Sequence, residues 1–166
     1  MKNIKLIAMD VDGVLTDGRI IYGTGDLEIK TFYVKDGQGI TLARKARIEV
    51  AFITARVSDA LVTRANDLGV IEVHQGIDDK WGCLRKIIKR YNMKNEDVLY
   101  IGDDIVDIPA MKNVGYPVAV ADAVDEVKEI AKYITKKTGG RGAVREVTDM
   151  VLKAQNKYHN LIQKEL

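Results

Sequence analysis

The chain is expected to fold as an α/β protein, a three-layer, doubly wound parallel sheet of Rossmann-like plan with one projecting β-hairpin. Two observations predict this. Short apolar runs at 4–9, 50–54, 71–74, 98–101 and 117–120 alternate with helical patterns near 37–48, 58–68, 79–92, 105–113 and 123–131. Such runs suit strands buried on both faces, and their alternation with helices calls for a parallel sheet covered on both sides. Several runs also end in Asp, Thr or Gly-Asp, polar residues at the carboxyl edge, where open α/β sheets bind their ligands.

The elements are justified in chain order. Strand 4–9 runs into Asp10-Val11-Asp12-Gly13-Val14-Leu15-Thr16-Asp17-Gly18. A continuing strand would send Asp10 and Asp12 away from the backbone between them. Gly13 permits the turn that lets both carboxylates and that backbone converge on one ligand. Residues 19–34 break the alternation. Two β-rich runs flank Gly23-Thr24-Gly25-Asp26, with the second running from Leu27 to Val34, and read as a hairpin. A lone hairpin is marginal in water, so it needs a surface to pack on, and another copy of the chain is the expected partner. Ser58 and Gly69 are candidate caps of the 58–68 helix. From about Ala143, apolar residues recur at helical spacing (Val144, Val147, Val151, Ala154, Tyr158), predicting a terminal amphipathic helix to 166.

At 166 residues the chain fits one domain, 1–166, with a sizeable core. Its composition, 46% hydrophobic and 30% charged, is that of an ordinary globular protein. A net charge of +2 with dispersed lysines and arginines argues against a nucleic-acid groove. The lone cysteine, Cys83, allows no internal disulfide and fits a cytoplasmic protein. No apolar run approaches a membrane span, and residues 1–9 do not suit a signal peptide.

Four segments carry the chemistry. The first is the paired acids Asp10 and Asp12. The second is Phe52-Ile53-Thr54-Ala55-Arg56, where a hydroxyl and the following N–H groups can hold a phosphate oxygen and a guanidinium can grip a carboxylate. The third is Lys80, a cation opening a helix against the macrodipole. The fourth is Gly102-Asp103-Asp104-Ile105-Val106-Asp107, a further acid cluster. So many carboxylates at one edge would repel without a cation, and oxygen-only ligands point to Mg²⁺.

In this order the segments resemble the motifs of the haloacid dehalogenase superfamily of phosphotransferases. The resemblance implies Asp10 as nucleophile and Asp12 as acid and then base. It implies Thr54 and Lys80 as phosphoryl ligands. Mg²⁺ would be held by Asp10, the Asp12 carbonyl and Asp103, with Asp104 or Asp107 in support. The spacing between motifs leaves no room for a cap domain. DVDGVLTDG, the hairpin leading into Phe32–Ile40, ITAR, GDDIVD with Pro109 and Met111, and Gly139-Gly140-Arg141-Gly142-Ala143-Val144-Arg145-Glu146-Val147 are similar to one capless family, the 3-deoxy-D-manno-octulosonate 8-phosphate phosphatases. That family usually has ITGR where this chain has ITAR. The likeness implies a small phosphorylated sugar acid as substrate and a homotetramer that completes each site. It places Gly13, Ala55, Arg56, Lys35 and Arg141 against the substrate. A sister phosphatase of nine-carbon keto-sugar phosphates is the nearest rival, and Arg56 favours the eight-carbon substrate. A phospho-receiver domain is the rival of another class.

Overall fold

The computed structural model describes residues 1–25 and 28–163. Asp26 and Leu27 of the expected hairpin, and Lys164–Leu166 of the expected terminal helix, lie outside the described residues. The strands are β1 (Leu6–Met9), β2 (Ile21–Tyr22), β3 (Glu28–Ile29), β4 (Glu49–Ile53), β5 (Glu72–His74), β6 (Val98–Gly102), β7 (Tyr116–Ala119) and β8 (Tyr133–Ile134). The helices are α1 (Val34–Lys45), α2 (Asp59–Leu68), α3 (Lys80–Arg90), α4 (Ile108–Met111), α5 (Asp125–Ile130), α6 (Ala143–Ala154) and α7 (Tyr158–Gln163).

Six strands form one sheet in the order β5-β4-β1-β6-β7-β8, every pairing parallel. Without the hairpin strands this is the doubly wound order 3-2-1-4-5-6, whereas a receiver domain has 2-1-3-4-5. The order reverses between β1 and β6, which makes the crevice between them the switch point where ligands of such sheets sit. Register sharpens the point. Met9 pairs with both Phe52 and Ile101, so β1, β4 and β6 end level and deliver Asp10, Thr54 and Asp103 to the same edge.

The strands form because their side chains can be buried on both faces. All four residues of β1 and all five of β6 are buried, and Phe52, Ile53 and Tyr100 have no exposed surface. Each large apolar side chain so buried contributes about 2 kcal/mol. Right-handed crossovers place α1 and α2 on one face and α3, α4 and α5 on the other. α6 packs on α1. Gly39 is what lets them meet: a Cβ there would lie 2.3 Å from Thr148 Oγ1.

Several boundaries differ from expectation. The expected 37–48 helix runs three residues earlier, because Arg47 adopts a left-handed φ of 62° that ends the helical turn before Ile48 enters the strand region. The expected 105–113 helix is a 3-10 turn, Ile105–Asp107, followed by the single turn of α4. β8 was not legible, since two residues are too few to show a period. The terminal helix is broken after Ala154, where Asn156 takes φ 56°. Lys157 then donates to the Ala46 carbonyl at 3.0 Å, anchoring the break to the end of α1. The Ser58 side chain makes no cap hydrogen bond, whereas Gly69 is a left-handed C-cap as expected.

One buried carboxylate fixes α6. Its N-cap, Gly142, has no side chain to satisfy the first N–H groups. Asp36 of α1 supplies the acceptor instead, receiving Gly142 N at 3.1 Å and Arg145 N at 2.7 Å while wholly buried. Burial pushes its carboxyl above the usual range, and the two N–H groups work against that shift. Asp36→Ala should therefore lower stability by about 2 kcal/mol, because two donors lose their partner inside the protein. Urea denaturation measures this, and a loss below about 0.5 kcal/mol would mean that another acceptor takes over the cap.

Candidate active site

The loop after β1 is wound like the start of a helix. Val11 O accepts from Leu15 N and Thr16 N, both at 2.9 Å. Thr16 Oγ1 accepts from Gly13 N at 3.4 Å and Gly18 N at 3.2 Å. Gly13 is required on two counts. Its φ is +93°, and a Cβ would lie 2.0 Å from Asp103 Oδ2. The backbone between Asp10 and Asp12 is thus pressed against the end of β6. A second close approach comes from the C-terminal Gly-rich segment. A Cβ on Gly139 would lie 1.7 Å from Gly13 O, and Gly140 N donates to Val14 O at 3.0 Å.

At the switch point Lys80, first residue of α3, is almost completely buried. Its Nζ lies 2.8 Å from Asp10 Oδ2 and 2.7 Å from Asp107 Oδ1. Burial alone would lower its pKa, but Asp107 and Asp10 outweigh burial and raise it, so it is a fixed cation. Asp10 Oδ1 accepts from Val11 N at 2.7 Å. Asp107 is fully engaged: Oδ1 also accepts from Tyr100 OH at 2.9 Å, and Oδ2 accepts from Asp103 N at 3.0 Å. Burial, helped by Asp107, pushes the Asp10 carboxyl up to about 6 against the pull of Lys80. Burial, then Asp10 and Asp107, pushes Asp103 up to about 8.

Carboxylate oxygens of Asp10, Asp103 and Asp107 lie within 4.8 Å of one another. Asp103 Oδ1 is buried with no hydrogen-bond partner. An all-oxygen set with an orphaned, buried acceptor fits a hard divalent cation. Asp107 takes two contacts at each oxygen, Asp10 takes one at each, and Asp103 Oδ1 takes none, so the spare ligand capacity is greatest at Asp103, then at Asp10, and Asp107 orients its neighbours. Of the two acids the sequence left open, only Asp107 meets Lys80; Asp104 is exposed and accepts from Ile105 N at 2.7 Å.

The second segment reaches the same edge. Thr54 is buried, held by Thr54 N to His74 O at 2.9 Å, and its Oγ1 accepts from Arg56 N at 3.2 Å. This tight turn exposes the Ala55 backbone and swings Arg56 toward Asp12, Nε to Oδ2 3.9 Å. Lys35 and Arg141 are not brought to the acids. Both line a separate groove of about 480 Å³ with Tyr33, Lys136 and Lys137. Lys35 Nζ sits 5.9 Å from the Tyr33 ring, and Arg141 pairs with Asp17 at 3.6 Å.

Sequence reasoning missed Tyr100, Glu28 and Lys30. The signal for Tyr100 was a phenol in the middle of a buried strand, which needs a polar partner. For Glu28 and Lys30 it was opposite charges two apart in a strand, hence on one face. The hairpin's polar side chains engage loops of its own chain, Lys30 pairing with Asp12 and Glu28 with Arg56, while its apolar side chains stay exposed.

Comparisons with known proteins agree with this geometry. A family model described as haloacid dehalogenase-like hydrolase matches residues 50–147. The chain is 46% identical over 155 residues to 3-deoxy-D-manno-octulosonate 8-phosphate phosphatase of Yersinia pestis, covering 93% of this chain and 83% of that protein. The Moraxella catarrhalis phosphatase of the same name, solved in complex with magnesium ion, phosphate ion and KDO, superposes with a TM-score of 0.97 at 42% identity, covering 99% of this chain and 95% of that one. A cobalt-bound Haemophilus influenzae relative gives 0.91 at 42% identity over 95% and 92% of the two chains. With this identity over nearly its whole length, the same sheet and the same acidic switch point, the chain belongs to the haloacid dehalogenase-like hydrolases and, within them, to the 3-deoxy-D-manno-octulosonate 8-phosphate phosphatase family.

Proposed function

We propose that this chain is a Mg²⁺-dependent phosphomonoesterase that hydrolyses 3-deoxy-D-manno-octulosonate 8-phosphate through an aspartyl-phosphate intermediate. The observation that carries the reading is the convergence of Asp10, Lys80, Asp103 and Asp107 at the switch point, together with the family. Asp10 Oδ attacks phosphorus. As that bond forms, the ester P–O bond breaks and Asp12 gives its proton to the leaving sugar oxygen. Asp12 then takes a proton from water, whose oxygen bonds to phosphorus while the aspartyl P–O bond breaks, releasing phosphate and Asp10. Lys80 and Thr54 steady the phosphoryl oxygens, with the Ala55 and Gly13 backbone beside them. Such transfer depends on positioning and charge neutralisation. Mg²⁺ would be held by Asp10, the Asp12 carbonyl and Asp103, and supplies the charge that lets a carboxylate approach a phosphate. Arg56 faces the sugar acid.

The enzyme works as a homotetramer in the cytoplasm. Support for self-association is the hairpin, whose Ile20, Ile21, Tyr22 and Ile29 are all exposed. Apolar surface of this kind marks a contact face. Neighbouring subunits would also bring Lys35 and Arg141, which their own chain keeps away from its acids, toward a substrate. No described helix is long and apolar enough to cross a membrane, and the single cysteine is free.

A screen of phosphorylated sugars at fixed Mg²⁺ tests the substrate. The eight-carbon sugar acid phosphate should be hydrolysed fastest, and a faster nine-carbon or neutral sugar phosphate would replace it. In the same assay Asp10→Asn should lose at least about a thousandfold in kcat, since an amide cannot serve as the nucleophile. Turnover above a tenth of the wild-type rate in folded protein would remove Asp10 from the role.

Metal binding should also show in stability. Asp10 and Asp103 have folded pKa values of about 6 and about 8, above the unfolded 3.8. Groups raised in this way favour the fold fully below the unfolded value and lose that contribution as pH rises through the folded values. Metal-free protein therefore carries a growing repulsion between pH 5 and 8.5, and Mg²⁺ relieves it. The gain in Tm on adding Mg²⁺ should grow with pH across this window, and Asp103→Ala should flatten it. A gain independent of pH would refute the assignment of these carboxylates as ligands.

Light scattering tests the assembly. A tetramer is expected, and truncation before Gly139 should cut activity on the sugar acid phosphate more than on an aryl phosphate. A fully active monomer would overturn it.

A further inference from the structure

Two charged clusters lie side by side at the switch point. Phosphoryl transfer accounts for the inner one, around Lys80. The outer one consists of Asp12, Lys30, Glu28 and Arg56. Lys30 follows β3, and its side chain is only 3% exposed. It pairs with Asp12 and lies 3.4 Å from Glu28 Oε1. Arg56 pairs with Glu28 Oε2, and its Nε lies 3.9 Å from Asp12 Oδ2. Each acid meets both cations, in a closed ring of alternating charge. The ring is balanced in charge and incomplete in hydrogen bonds. Among the described residues, Asp12 Oδ2, Glu28 Oε1 and Arg56 Nε are buried side-chain atoms without a hydrogen-bond partner.

We propose that Lys30 and Arg56 together form the specificity-determining cradle for the substrate's carboxylate, and that Glu28 occupies the carboxylate's place until substrate displaces it. The inference rests on the reading of the substrate as a sugar acid phosphate. The Glu28 carboxylate bridges an ammonium on one oxygen and a guanidinium on the other, the contacts a substrate carboxylate would make. It is carried by a two-residue strand of a hairpin whose apolar side chains are exposed, an element with little of its own to hold it in place. Exchanging one carboxylate for another leaves the charge of the ring unchanged. A sugar phosphate without a carboxylate has no such exchange to offer, since driving Glu28 out would leave the buried Lys30 and the half-buried Arg56 facing Asp12 alone. The ring thus discriminates by penalising the wrong ligand as well as by gripping the right one.

The test uses full-length wild-type enzyme with Mg²⁺ and two substrates, 3-deoxy-D-manno-octulosonate 8-phosphate and p-nitrophenyl phosphate. A third readout is inhibition of aryl phosphate hydrolysis by the free sugar acid, which needs no turnover of the sugar substrate. Lys30→Met should lower kcat/KM for the sugar acid phosphate about tenfold more than for the aryl phosphate, mainly through KM, and raise the inhibition constant by a similar factor. Lys30→Arg keeps the charge and should keep the preference. Glu28→Gln should act in the opposite direction, lowering both KM and the inhibition constant for the sugar acid. Should Lys30→Met not fold, Lys30→Gln removes the charge while keeping a polar end. Equal losses on both substrates, or a weaker inhibition constant in Glu28→Gln, would overturn the proposal. Wild-type preference for neutral sugar phosphates would overturn the substrate reading instead, and the inhibition constants would still decide whether the cradle binds a carboxylate.

Discussion

A buried ammonium among buried carboxylates is the constraint on which the site depends. Lys80 is held between Asp10 and Asp107, and Asp103 stands beside them. None of these charges would be stable there alone, because removing an ion from water costs several kcal/mol unless a partner answers it. Each therefore dictates the position of the others. Lys80 opens α3 against the helix dipole because the acids at the ends of β1 and β6 more than offset that penalty. Tyr100 then donates from inside the sheet to Asp107, tying the charge cluster into the core.

The backbone is folded as tightly as the charges. Gly13 lies against Asp103, Gly139 lies against Gly13, and Gly102 leaves room for Asp107, whose Cβ would sit 2.6 Å from any Cβ on Gly102. These contacts stack the loop after β1, the end of β6 and the C-terminal Gly-rich segment. Asp36 anchors the far end of that segment by capping α6. The route from the α1–α6 pair to the loop bearing Asp10 and Asp12 therefore runs through packed backbone, which gives little and holds geometry well.

The hairpin is different in kind. Its two short strands are largely exposed, and among the described residues Glu28 and Lys30 form its ion pairs with Arg56 and Asp12. Segments with few buried apolar contacts open at low cost. Glu28 and Lys30 are therefore the charged residues that tie a loosely held segment to the edge where β1 and β4 end.

The sequence alone determined the alternating strands and helices, the sheet class, and the residues at the carboxyl edge, because burial on two faces and the need for glycine at tight turns are local and leave a readable pattern. Asp10, Asp12, Thr54 and Asp103 could be placed at that edge for that reason, whereas Lys80 stood out only by its place between the motifs. The short elements were not: β8, the 3-10 turn at Ile105–Asp107 and the break at Asn156 are set by what they pack against, over too few residues to show a period. Nor could the sequence choose between Asp104 and Asp107, which differ only in which side of a turn meets Lys80. It could not show that Asp36 caps a helix 106 residues away, or that Glu28 and Lys30 close on Arg56 and Asp12. Those pairings join segments distant along the chain, and only the folded sheet, by ending β1, β4 and β6 at one level, brings their charges within reach of one another.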